Sequence, residues 1–264
     1  VDALMARTNI ADAADILRAA GVPVIEETYV QGPYKGKRWQ DVGWQGQGYR
    51  DVKFIMWHHD ASPTGDSPGA LWWMMNNALA PAGCIWVCSG CNGTHASGTW
   101  HLIAGRLSNH AGTGGPGWGV MKDQMNAYAV GIETDHTYGE SWAPPKKQAQ
   151  LDSLRLGTAA LMNAYGLSPN PSLLRHLDWT NGMIDGVPRL PTFGRKNDLD
   201  GVDIHEERIR VAALMRTLGK PTAADRIRTR IARLIRQRDK VKAEGGDVRP
   251  LTQRIRELRA KLRG

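Results

Sequence analysis

Phe54-Ile-Met-Trp-His58-His59-Asp60 is an apolar run that closes on two imidazoles and a carboxylate. Weak alternation from Val52 to Trp57 predicts a buried strand, which sets the histidines at its end. Side chains alternate across a strand, so only one of His58 and His59 is expected to face inward. A lone histidine on an apolar strand is usually a satisfied core residue. A pair at a strand end is a better ligand candidate, because one ring can point into a cleft. His176-Leu-Asp178-Trp179 and Gly194-Arg-Lys196-Asn-Asp198 stand far downstream. Together these stretches offer two imidazoles, a carboxylate and a lysine. Two histidines and a carboxylate with one open position form a hydrolytic zinc site.

Outward from that strand, helices and strands intermix, and the body is expected to be α/β. Residues 10–20 read as a short helix with Ile10, Ala14, Leu17 and Ala20 on one side and Gly21 as its stop. Residues 30–50 read as an ordered loop. Ser67-Pro68 marks a helix start, Leu71, Met74, Met75 and Leu79 give its buried face, and Pro81 ends it. Ile85–Val87, Thr99–Ala104 and Tyr128–Thr134 are strand candidates. A helix is predicted over 146–165, where Leu151, Leu154, Leu161 and Tyr165 recur at near-helical spacing before Gly166. Asp203 with Glu206 resembles a capping box for a helix over 204–218.

The chain has 264 residues, 41% of them apolar, enough for one large domain with an appendage. No apolar run is long enough to span a membrane. Asp2, Arg7, Asp12 and Asp15 interrupt any signal-peptide core near the start, so the chain is expected to be made in the cytoplasm. The net charge of +8 is uneven: residues 221–264 hold 14 Lys and Arg against 5 Asp and Glu, and the rest holds 20 against 21. Gly219-Lys220-Pro221 reads as a linker. Ala224, Ile227, Ile231, Leu234 and Val241, with Arg238 in the remaining core slot, follow a 3-4 spacing. So do Val248, Leu251, Ile255, Leu258 and Leu262, and Gly245-Gly246 separates the two runs. This predicts a basic antiparallel helical hairpin over 222–264 with one apolar seam. It suits anionic wall polymers or a second copy of the chain. With no aromatic residue among the charges, nucleic acid is not expected as a partner.

Cys84, Cys88 and Cys91 cluster near His95 and His101. A second metal site, a Cys88–Cys91 disulfide and three reduced structural thiols all fit that spacing. Gly112-Thr-Gly114-Gly115-Pro-Gly117 fits GxGxxG only formally, since no strand precedes it and no helix follows. Trp72, Trp86, Trp100, Trp118 and Trp142 are read mainly as packing residues, with glycan stacking as the alternative.

Phe54–Asp60, Val130-Gly-Ile-Glu133 and His176-x-Asp178…Gly194-Arg-Lys196-Asn-Asp198 resemble, in order, the zinc N-acetylmuramoyl-L-alanine amidases of type 2, akin to phage lysozyme-amidases and peptidoglycan recognition proteins. The resemblance covers about residues 50–215 and implies a central mixed sheet flanked by helices. It makes residues 1–218 a catalytic domain with an N-terminal extension over 1–49. It implies zinc on His58, His176 and Asp198, selecting His58 over His59. It implies Glu133 and Lys196 as catalytic residues, the lysine stabilising an oxyanion. Asn109-His110-Ala-Gly112 resembles the family's cleft wall, which makes Asn109 and His110 substrate-binding candidates. Many phage members carry a catalytic Tyr where this chain has Gly83-Cys84-Ile-Trp86-Val, so proton transfer falls to Glu133. The spacer after His176 is longer than in compact members. Asp178, Asp185 and Asp200 are therefore rival carboxylates, and Asp198 is preferred for its Lys196.

The resemblance implies peptidoglycan as substrate and cleavage between N-acetylmuramic acid and L-alanine. The N-terminal segment and Trp-rich loops resemble lysins of phages infecting actinobacteria. An endolysin would accumulate in the host cytoplasm and reach the wall once the membrane opens. The alternatives are a non-catalytic peptidoglycan-binding module of the same fold and a zinc peptidase on the stem.

Overall fold

The computed structural model describes residues 6–60, 68–77, 81–90, 93–137, 139–180, 183–184, 187–188, 198–199, 201–219 and 223–262. Ser67, Leu79 and the linker residues Lys220 and Pro221 lie outside them. Helix α1 (Ala13–Ala19) is shorter than the expected 10–20 and buries Ala13, Ala14 and Leu17. Asp12 is its N-cap, and Ile10 precedes it, buried, with its N–H donated to the Gly105 carbonyl. Strand β1 (Val24–Glu26), strand β2 (Phe54–His59), helix α2 (Pro68–Asn76), strands β3 (Ile85–Val87) and β4 (Trp100–Leu102), and strand β5 (Ala129–Thr134) follow. Helix α3 (Pro145–Tyr165) closes at Gly166, whose φ of 71° supplies the left-handed cap. A single turn α4 (Pro169–Ser172), strand β6 (Leu173–Arg175), short helix α5 (His176–Thr180) and the small hairpin β7 (Met183–Ile184) and β8 (Val187–Pro188) come next. Helices α6 (Ile204–Leu218), α7 (Ala223–Ala243) and α8 (Arg249–Lys261) complete the chain. The Asp203 carboxylate caps α6 by accepting the N–H groups of His205 and Glu206.

Six strands form one mixed sheet in the order β1-β4-β3-β5-β2-β6. Only the β3–β4 pair is antiparallel. β2 lies between β5 and β6, and all six of its residues are buried. A strand covered on both faces has no polar side to show, so its sequence reads as a near-continuous apolar run. Alternation then sorts its side chains. Ile55 and Trp57 join the main core, and Trp57 Nε1–H donates to Thr158 of α3 at 2.9 Å. Phe54 and Met56 join a second cluster with Ala111, Ala129, Leu174 and Trp179. His58 belongs to that second face by parity, and β5 places Glu133 directly beside it in register.

Helix α6 is tied to α3 by a buried ion pair. Arg155 Nε and Nη2 reach the two oxygens of Glu207 at 2.6 Å each. Glu207→Ala would leave that guanidinium without its buried partner, and such losses cost about 3–5 kcal/mol. Asp152 also meets Arg155, at 2.7 Å, so a loss near the lower end is expected in chemical denaturation.

The C-terminal hairpin forms as expected. Ile231, Ile255 and Leu258 make the centre of its seam, with Ile227, Leu234, Ile235 and Leu262 packed around them. Arg238, expected in a core slot, instead turns outward to Asp239 at 2.6 Å, because an unpaired guanidinium in the seam would lose its hydration. The hairpin also reaches the body through Arg236–Asp15 at 2.6 Å and Lys240–Asp41 at 3.1 Å. Among the described residues no helix is long and apolar enough to cross a membrane.

Candidate metal centre

His58 comes from the end of β2, His176 opens α5, and Asp198 lies beyond the β7–β8 hairpin. Their nearest donor atoms converge. His58 Nδ1 is 3.0 Å from His176 Nδ1, and Asp198 Oδ2 is 2.8 Å from His176 Nδ1 and 3.6 Å from His58 Nδ1. Among the described residues this is the group of three potential ligands whose donor atoms all lie within 4.8 Å of one another.

The hydrogen bonds behind the rings decide which nitrogens carry protons. A carbonyl only accepts, so His110 Nε2 must donate to the Ala129 carbonyl at 3.0 Å. The neutral His110 ring then accepts at Nδ1, and His58 Nε2 must donate to it at 3.0 Å. That leaves His58 Nδ1 without a proton. His176 Nε2 donates to the Ala111 carbonyl at 3.1 Å, so His176 Nδ1 is bare as well. Two lone pairs and a carboxylate oxygen therefore face one point with no proton between them. They repel unless a cation sits there. Two imidazoles on a tetrahedral zinc, with Zn–N of 2.0–2.1 Å, hold their donors about 3.3 Å apart, close to the spacing found. The donor set and its geometry fit a zinc ion.

Electrostatics agree with that protonation pattern. Burial pushes the His110 ring well below its ordinary range, and the nearby His58 adds to the effect, so His110 is neutral. Burial alone would raise the Asp198 carboxyl. Its close contacts with the His176, His58 and His59 rings outweigh burial and hold the group far below the carboxylate range.

The sequence family profile for N-acetylmuramoyl-L-alanine amidases matches residues 48–198, from just before β2 to the third ligand candidate. The chain belongs to the N-acetylmuramoyl-L-alanine amidase family. Curated protein sequences gave no match. Among solved structures, AmpDh3 of Pseudomonas aeruginosa in complex with anhydromuramic pentapeptide is similar at 17% identity. That match covers 52% of this chain and 56% of the other, with a TM-score of 0.39. The endolysin N-acetylmuramoyl-L-alanine amidase LysCS of Clostridium intestinale URNW is similar at 18% identity, over 72% of this chain and 94% of that one, also at 0.39.

Glu133 Oε1 stands 3.8 Å from His58 Nδ1, at the edge of the converging donors. Asp178, a rival carboxylate, does not join the converging donors. It is buried against Arg175, accepting from its backbone N–H and from Nη2 at 2.8 Å each, because an isolated buried carboxylate needs a cation. His59 was expected to turn away by alternation, yet its Nε2 lies 3.4 Å from Asp198 Oδ1. Asp198 sits past the strand end, where both faces of β2 are within reach. Asn109 is exposed and accepts from Asn126 Nδ2 at 3.3 Å, whereas the His110 ring is buried behind His58. Asn126 had no signal in the sequence. Its Oδ1 accepts the N–H groups of both His110 and Ala111, at 3.0 and 2.8 Å, and so fixes the loop behind both imidazoles. Lys196, Asp185 and Asp200 lie outside the described residues.

Gly131 of the Gly-Ile-Glu stretch is also explained. A Cβ there would overlap the His110 ring. Gly131→Ala must displace the ring that receives the His58 proton. A stability loss of about 1–3 kcal/mol is expected from overpacking, with a 10–100-fold fall in activity typical of disturbed outer-shell partners. Thermal unfolding and amide hydrolysis, measured on the same sample, check both.

Proposed function

We propose that this chain is a zinc-dependent amidase that cleaves peptidoglycan between N-acetylmuramic acid and L-alanine, in the role of an endolysin. The convergence of His58 Nδ1, His176 Nδ1 and Asp198 Oδ2 on one point, with Glu133 beside it, carries the reading. A zinc ion held there would supply Lewis-acid chemistry, polarising the scissile carbonyl and making water a competent nucleophile near neutral pH. His110 and the Ala111 carbonyl keep both imidazoles in the tautomer that presents Nδ1. Glu133 takes the proton of the attacking water and returns it to the leaving amine. Lys196 is assigned the developing oxyanion on its place two residues before Asp198 in the sequence.

Residues 222–264 are proposed as a separate basic module that holds the enzyme against anionic wall polymers, on the excess of positive charge there. Unchanged binding to isolated wall after their removal would count against that role.

Incubation with purified peptidoglycan tests the activity. The expected product is a new L-alanyl N-terminus on the stem peptide, lost on chelation and restored by zinc. New ends within the stem would make the chain a peptidase. Wall binding without new ends would make it a recognition module.

A further inference from the structure

Trp72 and Trp73 of α2 are each 56% exposed, although indoles are among the side chains with most to gain from burial. Trp72 lines a groove of about 540 Å³, open to solvent, between α2 and residues 27–31. Val30, 77% exposed, lines it too. Trp73 is turned about 100° further round the helix and extends the aromatic surface over the outside of α2. Glu27, Gln31 and Asn76 bring a carboxylate and two amides to the same groove.

The walls are set by contacts within the chain. Tyr29 is buried, and its hydroxyl donates to the Ile103 carbonyl at 3.0 Å. Asn76 Nδ2 donates to the Trp72 carbonyl at 2.8 Å. Glu27 Oε1 accepts from His101 Nδ1 at 2.7 Å. Gly32, at a φ of 74°, passes α2 so closely that a Cβ would strike Asn76 Oδ1.

The chemistry of the lining selects the occupant. No lysine or arginine lines the groove, so nothing there draws an anionic lipid or a phosphate. The N–H groups of Glu27 and Tyr29 already donate to the carbonyls of Leu102 and Lys37, so an extended peptide cannot add to this wall as a strand. An exposed indole beside amides and a carboxylate suits a neutral sugar. The apolar C–H face of a pyranose lies on the ring, and its hydroxyl and acetamido groups bond to the polar rim.

The groove is joined to the amidase centre through α2. His101, Trp86, Glu133 and His58 lie in one register row across β4, β3, β5 and β2, so their side chains share one face of the sheet. Trp86 packs there with Tyr29 and with Met74 of α2. A Cβ on Gly83 would meet Glu133 Cγ at 3.0 Å and Met74 Sδ at 3.8 Å. The inner side of α2 therefore lies close to the catalytic carboxylate, and its outer side carries the indoles. The amidase family match begins at residue 48, so the wall over 27–31 belongs to the N-terminal segment of this chain and not to the matched core.

We propose that the groove between α2 and residues 27–31 is a subsite for an N-acetylated glycan chain. Trp72 is the stacking platform, and Glu27, Gln31 and Asn76 are the hydrogen-bonding rim. The inference rests on the amidase reading for its choice of glycan. The subsite holds a glycan strand away from the scissile amide while that amide is cut.

The test is calorimetric titration of the full zinc-loaded chain with oligomers of N-acetylglucosamine, which carry no lactyl amide and are not cleaved by an amidase. Saturable binding is expected, weakened about tenfold in Trp72→Ala, the scale of one aromatic contact, and largely retained in Trp72→Phe. It should persist in His58→Ala, which breaks the zinc centre. No binding, equal binding by Trp72→Ala, or loss of binding in His58→Ala overturns the subsite. So does binding of a sugar-free stem peptide that depends on Trp72, or self-association of the chain that Trp72→Ala abolishes. If His58→Ala does not fold, the two Trp72 variants still decide. Cleavage of a one-sugar muramyl peptide by the wild-type chain is followed separately. Its absence would sink the amidase reading and leave the glycan titration to be judged by itself.

Discussion

Asp198→Ala is expected to abolish release of L-alanyl ends from peptidoglycan while the protein stays folded. Asp198 is the one anionic member of the converging set, 2.8 Å from His176 Nδ1 and 3.6 Å from His58 Nδ1. Its removal leaves two neutral imidazoles, and a divalent cation bound by two nitrogens alone is weakly held. Outer-shell partners commonly contribute 10–100-fold, so loss of the ligand itself should cost more than about 100-fold in hydrolysis. Metal content should fall with it. The fold should survive because Asp198 belongs to no strand or long helix, and the β2–β5–β6 pairing does not depend on it. Far-ultraviolet circular dichroism and a zinc count on the same sample separate the two effects. Full activity in this variant would remove Asp198 from the ligand set. His59, 3.4 Å from the second oxygen of Asp198, would lose a contact without losing its place in β2. A secondary effect through His59 is therefore expected to be small.

The parts of this site that could be read from sequence are those in which side-chain chemistry and element type coincide. β2 announces itself because a strand buried on both faces must be apolar throughout, and its two histidines stand out against that run. α3 is legible because 21 residues leave room for several turns of the same apolar face. β6 and α5 carry no comparable signal. Three and five residues are too few for a period to repeat, and His176 sits at the junction of the two. The partners of the imidazoles are harder still. The carbonyls of Ala111 and Ala129 fix two tautomers, and a backbone acceptor leaves no trace in residue identity. Asn126 could only have been found from the pairing of its loop with residues 110–111. Among the ten tryptophans, Trp39, Trp57, Trp86, Trp100 and Trp179 are fully buried, whereas Trp72, read as a packing residue, is exposed together with Trp73. Cys84 and Cys88 are close in sequence but part company because β3 runs between them. Strand geometry, at 3.2–3.4 Å per residue, puts four residues about 13 Å apart.

Glu133→Gln should separate chemistry from metal binding, and it is the sharper test of mechanism. The amide keeps the size of the carboxylate and its hydrogen-bonding reach, so β5 and its register with His58 are expected to hold. It cannot accept a proton at neutral pH. General acid–base groups contribute about 10²–10⁴-fold, and a fall of that size in kcat is expected with zinc content and wall affinity unchanged. The contrast with Asp198→Ala is the point, since that variant should lose metal as well. Position supports the role. Glu133 Oε1 lies 3.8 Å from His58 Nδ1, near enough to reach a water among the converging donors yet farther from it than Asp198 or His176. Only 9% of the residue is exposed, so bulk water cannot readily replace the lost base. β3 carries no tyrosine to take over, since Ile85, Trp86 and Val87 fill it. A variant retaining wild-type kcat would mean that Glu133 is a structural carboxylate at a strand end, and the proton would have to travel through another group at the mouth of the site.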